Sequence, residues 1–153
     1  MRYRNLGDSG LEVSVIGLGT NNFGSRPTFP FHKGQDTATT VIHKALDQGI
    51  NLIDTANSYG NGMSEQYIGN ALKNKRHQAI LATKVHTRMA DGPNRSGSSR
   101  KHIMEEIEGS LKRLGTDYVD LYQLHGWDPI TPTDETVRAL DDLVSQGKVR
   151  YIG

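Results

Sequence analysis

Gly49-Ile50-Asn51-Leu52-Ile53-Asp54-Thr55-Ala56-Asn57-Ser58-Tyr59-Gly60 is the stretch whose reading decides the fold. Ile50, Leu52 and Ile53 form a short apolar run bounded by turn residues, which predicts one strand of a buried sheet. Asp54 falls where that run ends, and Tyr59 lies in the loop beyond it. Two later runs repeat the pattern with other ionisable groups. Ala79-Ile-Leu-Ala-Thr-Lys84 ends in Lys84, and Tyr118-Val-Asp-Leu-Tyr-Gln-Leu-His125 ends in His125. If the strands are parallel, their three tips and the Tyr59 loop share one face. That convergence is the functional signal.

Outward from this stretch, the chain alternates strand and helix. Residues 2–12 carry a Gly-Asp-Ser-Gly turn between short apolar segments and predict a hairpin. Val13 to Leu18 reads as the first core strand, followed by the Gly-rich loop Gly19-Thr-Asn-Asn-Phe-Gly24 and a long connection from Ser25 to Gln35. A first helix starts near Asp36, its expected N-cap, and ends at Gly49, placed for a left-handed residue just past the helix. Ser64 is the expected cap of a second helix, Glu65 to about Lys75. A polar stretch from His86 to Gly97 is longer than a connector needs and is a candidate functional loop. Ser98 or Ser99 caps a third helix with Ile103, Ile107, Leu111 and Leu114 on one stripe. Thr131-Pro-Thr-Asp134 resembles a capping box with Pro at the first helical position. It opens a fourth helix with Val137, Leu140, Leu143 and Val144 inward. Lys148 to Gly153 starts a fifth strand.

Composition narrows the class. Hydrophobic residues make up 35% of 153 positions before the 17 glycines are counted, which brings the sum into the globular range of roughly 45–50%. That length suits a single domain, 1–153. Eighteen basic and 17 acidic residues leave a net charge of +1, so no electrostatic footprint for nucleic acid or a membrane surface is expected. Without cysteine there are no disulfides or thiolate metal sites. No signal-peptide core and no run of ~18 apolar residues is visible, so the expectation is a cytoplasmic protein.

Four alternations of strand and helix fit either an open doubly wound sheet or the first half of a (β/α)8 barrel. The dinucleotide fingerprint G-x-G-x-x-G tests the first. Gly17 and Gly19 match, but Asn22 stands where the third glycine belongs, and the next helix begins well beyond the loop. Ionisable groups at successive strand C-termini suit the barrel, whose chemistry is assembled at that end.

Several motifs in order then carry a family resemblance: Leu18-Gly-Thr20, Asn51-Leu-Ile-Asp-Thr-Ala56 with Tyr59, Gly62-Met-Ser-Glu65, Ala82-Thr-Lys84, Asp117 to His125, and Gly147-Lys-Val-Arg-Tyr-Ile-Gly153. Together they closely resemble the aldo-keto reductase superfamily over essentially the whole chain. The resemblance implies an α/β (β/α)8 TIM barrel, of which this chain supplies the bottom-plugging hairpin and about the first four βα units. The family barrel is about twice as long, so the chain looks truncated at the start of the fifth barrel strand. Its open parallel edges invite self-association, and NADPH binding by this chain is expected to be weak. The implied reaction is reduction of a small-molecule aldehyde or ketone with a nicotinamide cofactor, NADPH by family habit and NADH as the alternative. The family's tetrad falls on Asp54, Tyr59, Lys84 and His125. Gly19, Thr20 and Asn21 match positions on the nicotinamide side of the cofactor, with Asp54 reaching its ribose. Phe23, Trp127 and His86 are candidates for a substrate pocket. Arg88 and Arg95 read as solvated charges, and no metal site is expected. Two other readings are a cofactor-binding regulatory subunit, as in potassium-channel β subunits, and an inactive half-barrel acting through association. In the channel subunits an Asn replaces the catalytic His, whereas this chain has His125.

The residue types suit the implied chemistry. Hydride addition to a carbonyl builds negative charge on its oxygen, so a proton donor must stand there. A tyrosine is protonated at neutral pH but gives its proton up reluctantly. A neighbouring ammonium eases that loss, because unit charges at ~4 Å and an effective dielectric of ~20 interact by about 4 kcal/mol. The roles expected are Tyr59 as general acid, Lys84 as its activating ammonium, Asp54 as the partner that aims Lys84, and His125 as the group orienting the carbonyl.

Overall fold

The computed structural model describes residues 1–24 and 32–153. Most of the long connection expected from Ser25 to Gln35 lies outside the described residues. A hairpin opens the chain, with β1 (Tyr3–Asn5) antiparallel to β2 (Glu12–Ser14). There follow β3 (Leu18–Gly19), α1 (Gln35–Asp47), β4 (Leu52–Asp54), α2 (Met63–Leu72), β5 (Ile80–Val85), α3 (Arg100–Leu114), β6 (Val119–Leu124), α4 (Thr133–Ser145) and β7 (Val149–Ile152). The last five strands form one sheet in the order β3-β4-β5-β6-β7, with every neighbouring pair parallel.

That order chooses between the two architectures. A doubly wound sheet reverses its strand order at a switch point. Here the order never reverses, so right-handed crossovers lay every helix on the same side of the sheet. This is barrel winding, and the chain forms roughly half of an eight-stranded TIM barrel.

The first core strand does not run from Val13 to Leu18 as expected. Glu12–Ser14 belongs to the hairpin, Val15 and Ile16 are exposed, and the barrel strand is only Leu18–Gly19. Asn51 explains the division. Its Oδ1 accepts from Ser14 N at 2.7 Å, and its own N donates to Ser14 Oγ at 3.1 Å. The hairpin is thereby pinned beside the start of β4, at the end of the sheet opposite the ionisable tips.

Helix starts also differ from expectation. α1 begins at Gln35 with Gly34 as its N-cap, and Asp36 sits inside the first turn, where its charge favours the helix N-terminus. Gly49 does have the left-handed φ predicted for it, 82°. A Cβ there would lie 2.9 Å from the Tyr3 hydroxyl, which donates to Gly49 O. α2 starts at Met63 after Gly62 rather than under a Ser64 cap, and stops at Leu72. Ser99 caps α3, its Oγ accepting from His102 N. The capping box at α4 does not form: Pro132 is the N-cap, and Thr131 Oγ1 donates to Asp128 Oδ2 at 2.7 Å instead. Val137 and Val144 are exposed, while Thr136 and Ala139 join Leu140 and Leu143 on the buried side. Thr136 belongs there because its hydroxyl donates to Ser98 O at 2.9 Å.

The core lies between helices and sheet. Ile53, Leu81, Val85 and Tyr122 pack in one cluster with Ile42, Ile68, Ile103, Ile107, Leu140 and Leu143. Each such side chain contributes about 1.5–3 kcal/mol by leaving water. Since side chains alternate across a strand, Asp54, Lys84 and Gln123 point the other way, into the barrel.

Candidate active site

Strand register places the charged groups. Asp54 ends β4 opposite Gly19 of β3 and Ala82 of β5. Lys84 lies two residues further along β5, opposite Gln123 of β6. Its stem bends back so that Nζ donates to Asp54 Oδ2 at 2.6 Å and to Thr55 O at 2.8 Å. The Tyr59 hydroxyl stands 3.5 Å from the same nitrogen. An ammonium has three donors, and these three oxygens account for all of them. The Lys84 side chain is 14% exposed and that of Asp54 35%, so the pair is largely screened from water on the lysine side.

Tyr59 is presented by a tight turn. Gly60, Asn61 and Gly62 all have positive φ, at 58°, 53° and 88°. Gly60 also touches backbone: an added Cβ would sit 2.8 Å from Phe23 O and 3.1 Å from Gly24 Cα. The loop after β3 therefore braces the Tyr59 turn directly. His125 follows β6, its N donating to Val85 O at 2.8 Å. Its ring meets that of Tyr59 edge-on, with centroids 5.6 Å apart and planes at 77°. All four predicted residues thus converge at the C-terminal ends of the strands.

Sequence reasoning missed Gln123, whose Nε2 donates to the second Asp54 oxygen at 3.3 Å. The signal was its place two residues before His125, on the same strand and the same side as Leu121.

Other expected positions divide. Gly19 is exposed beside Asp54, with nothing within 4 Å of where a Cβ would be, and Asn21 is also exposed. Both leave room for a ligand next to Lys84 and Asp54. Thr20 does not offer its side chain. It is fully buried, with its hydroxyl donating to Asp54 O at 2.9 Å. Phe23, expected in a substrate pocket, is 2% exposed and packs in the main core. Trp127 and His86 line separate cavities. Trp127 borders an apolar one of about 210 Å³ with Leu124, Val137, Leu140 and Ile152. His86 borders a more polar one of about 380 Å³ with Asn94, Asp128 and Thr131. Arg88 and Arg95 are exposed, as expected of solvated charges; they hold Gly92 O and Glu105.

Asp128 ties the two βα loops together. Its carboxylate accepts from Ser98 N, Thr131 Oγ1 and Ile130 N at 2.7, 2.7 and 3.0 Å. Those donors, the Ser98 amide foremost, hold its pKa well below the ordinary carboxylate range. Among the described residues no group of three or more His, Cys, Asp or Glu is placed to hold a metal, and no helix is long and apolar enough to cross a membrane.

Comparison with known proteins agrees with this geometry. A sequence model described as "Aldo/keto reductase family" matches residues 15–153. The aldo-keto reductase YhdN of Bacillus subtilis (strain 168) is 46% identical over 155 residues, covering 100% of this chain and 46% of that protein. A probable voltage-gated potassium channel subunit beta of Arabidopsis thaliana is 38% identical over 156 residues, again covering 100% of this chain and 46% of that one. Among solved structures, aldo-keto reductase AKR11C1 from Bacillus halodurans, a holo form, superposes with a TM-score of 0.87 at 41% identity. It is matched over 100% of this chain and 49% of its own. The chain therefore spans about half the length of the relatives it matches. With a family match over nearly all its residues and half-barrel geometry to go with it, this chain belongs to the aldo-keto reductase family.

Proposed function

We propose that the chain carries the proton-transfer half of an NADPH-dependent carbonyl reductase site, acting on small aldehydes or ketones. The observation that carries this reading is the Lys84 ammonium, held 2.6 Å from Asp54 and 3.5 Å from the Tyr59 hydroxyl. Tyr59 is the general acid: its O–H donates to the carbonyl oxygen as that oxygen gains negative charge. Lys84 stabilises the phenolate left behind, and Asp54 and Thr55 O keep the ammonium aimed. His125, edge-on to Tyr59, orients the carbonyl against the phenol. A positioned general acid contributes roughly 10²–10⁴ in rate.

The bound nicotinamide would supply the hydride. The exposed backbone at Gly19, the side chain of Asn21 and the exposed part of Asp54 are the groups that would hold it. Thr20 contributes by fixing Gly19 against Asp54, since its own hydroxyl is committed. NADPH rather than NADH follows the family. Trp127 and His86, on loops flanking His125, are the side chains that would border the substrate.

The similarity to channel β subunits suggests a cofactor-binding role without turnover, but the pairing of His125 with Tyr59 favours a working reductase. Pairing through β3 and β7, each with one sheet neighbour among the described residues, belongs to the same proposal. Light scattering that finds a compact monomer would overturn that part.

The deciding experiment follows NADPH consumption with an aromatic aldehyde, comparing the chain with Tyr59→Phe. The expected result is turnover that the variant loses by at least about 10²-fold. Near-normal turnover in the variant would sink the assignment of Tyr59.

A further inference from the structure

Three threonines stand beside the proposed functional groups: Thr20 next to Gly19, Thr55 next to Asp54, and Thr83 next to Lys84. All three are fully buried. All three are bound by two consecutive residues, Ser64 and Glu65, in the first turn of α2. Ser64 Oγ lies 2.9 Å from Thr55 Oγ1, 2.9 Å from Thr20 Oγ1 and 3.1 Å from Thr20 O. Thr20 Oγ1 in turn donates to Asp54 O. The hydroxyls therefore run in one direction, from Thr55 through Ser64 and Thr20 to Asp54 O.

Glu65 is also fully buried. One carboxylate oxygen accepts from Thr83 Oγ1 at 2.6 Å, the other from Arg113 Nε at 2.6 Å. Arg113 packs so closely under Gly62 that a Cβ there would meet its Cδ at 2.7 Å. One helical turn thus grips the tips of β3, β4 and β5, and through Arg113 it also supports the turn that carries Tyr59.

A buried ion pair is a poor way to gain stability, because desolvation offsets most of the attraction and apolar replacements are often neutral or better. Its position accounts for it instead. We propose that Ser64 and Glu65 are positioning residues, a hub that sets the spacing of Asp54, Lys84 and Tyr59. The consequence for rate rests on the reductase reading above; the consequence for geometry does not.

Ser64→Ala, Thr83→Val and the apolar pair Glu65→Leu with Arg113→Met test this, with Thr83→Ser as the conservative control. The chain is labelled at lysine Nζ and tyrosine Cζ for NMR, and turnover is measured on the same samples. The expected result is displaced Lys84 and Tyr59 resonances, and kcat lowered about 10- to 100-fold with KM little changed. The apolar pair keeps its thermal midpoint, and Thr83→Ser restores the native resonances. Folded variants with unmoved resonances would overturn the hub. If Tyr59→Phe keeps its turnover, the reductase reading fails while the resonances still decide this proposal.

Discussion

Lys84 reaches Asp54 across an offset of two residues in register, closing a contact of 2.6 Å between residues that are not directly paired on their strands. Asp54 opposes Ala82, so the backbone of Lys84 lies two residues higher, about 6.6 Å along the strand. The long stem spans that gap and leaves the ammonium between Asp54 and the Tyr59 hydroxyl. Replacing Lys84 with Met removes the charge that stabilises a Tyr59 phenolate. Turnover in the aldehyde assay is expected to fall about 10²–10⁴-fold. Asp54→Asn keeps an acceptor of similar shape and is expected to cost less. Equal activity in wild type and Lys84→Met would contradict the role given to the ammonium.

Gly60 offers a test with an internal control. A non-glycine residue in the left-handed region costs roughly 1–2 kcal/mol, and a clash with packed backbone adds about 1–3. Gly60, with φ 58°, meets both conditions, because its Cβ would lie 2.8 Å from Phe23 O. Gly7 has the same φ of 58° but nothing within 4 Å. Gly60→Ala is therefore expected to lose about 2–5 kcal/mol in urea unfolding, and Gly7→Ala only the conformational part of about 1–2. Equal losses would show that the contact between the Phe23 loop and the Tyr59 turn carries no weight.

These two cases mark how far the sequence could be read. Asp54, Lys84 and His125 were legible because each follows a short apolar run, and a strand's period fixes where its tip points. The contact of Gly60 with Phe23 O was not, since nothing local records which loops touch. Ser64 shows the same limit. Three residues after Asn61 and just ahead of an apolar-periodic stretch, it has the local look of an N-cap, yet tertiary partners at Thr20 and Thr55 claim its hydroxyl. At the other end, Thr131 looked like a cap until Asp128, three residues earlier, took its hydroxyl. Val137 and Val144 misled because hydrophobicity gave the helix stripe a phase that the Thr136–Ser98 hydrogen bond shifts to the other flank.

Tyr122 carries a hydroxyl with no hydrogen-bond partner among the described residues, fully buried behind Thr83. Burial, and then the charges of Glu65 and Glu106, raise its pKa well above the ordinary 10.0. Such a raised value means that the folded state resists ionisation while the unfolded chain does not. Its stabilising contribution is complete below pH of about 10 and is lost as the pH climbs above that. Tyr122→Phe removes an unpaired polar atom, so stability at neutral pH is expected to stay within about 1 kcal/mol or rise. The variant should also unfold less readily than wild type above about pH 10 in thermal scans. A large loss at neutral pH would show that the hydroxyl has an essential partner.

Asp128 makes the opposite prediction at the acid end. Its carboxylate is held below the ordinary value of 3.8 by Ser98 N, Thr131 Oγ1 and Ile130 N, in a site that exists only when both loops are folded. A depressed value means that the folded state favours the anion. The stabilisation is present above the unfolded value and is lost as the pH falls below about 4 toward the still lower folded one. Asp128→Asn keeps the size but replaces an anion by a weaker acceptor, and its amide also brings donors toward Ser98 N. The variant is expected to melt earlier at pH 7, while the part of the acid-induced drop due to this residue disappears. Because Asp128 anchors the loop bearing Trp127 to the loop bearing His86, hydrogen exchange at Ser98 N and Ile130 N should accelerate in the variant. Unchanged exchange there, with wild-type acid sensitivity, would show that the two loops are held by other contacts.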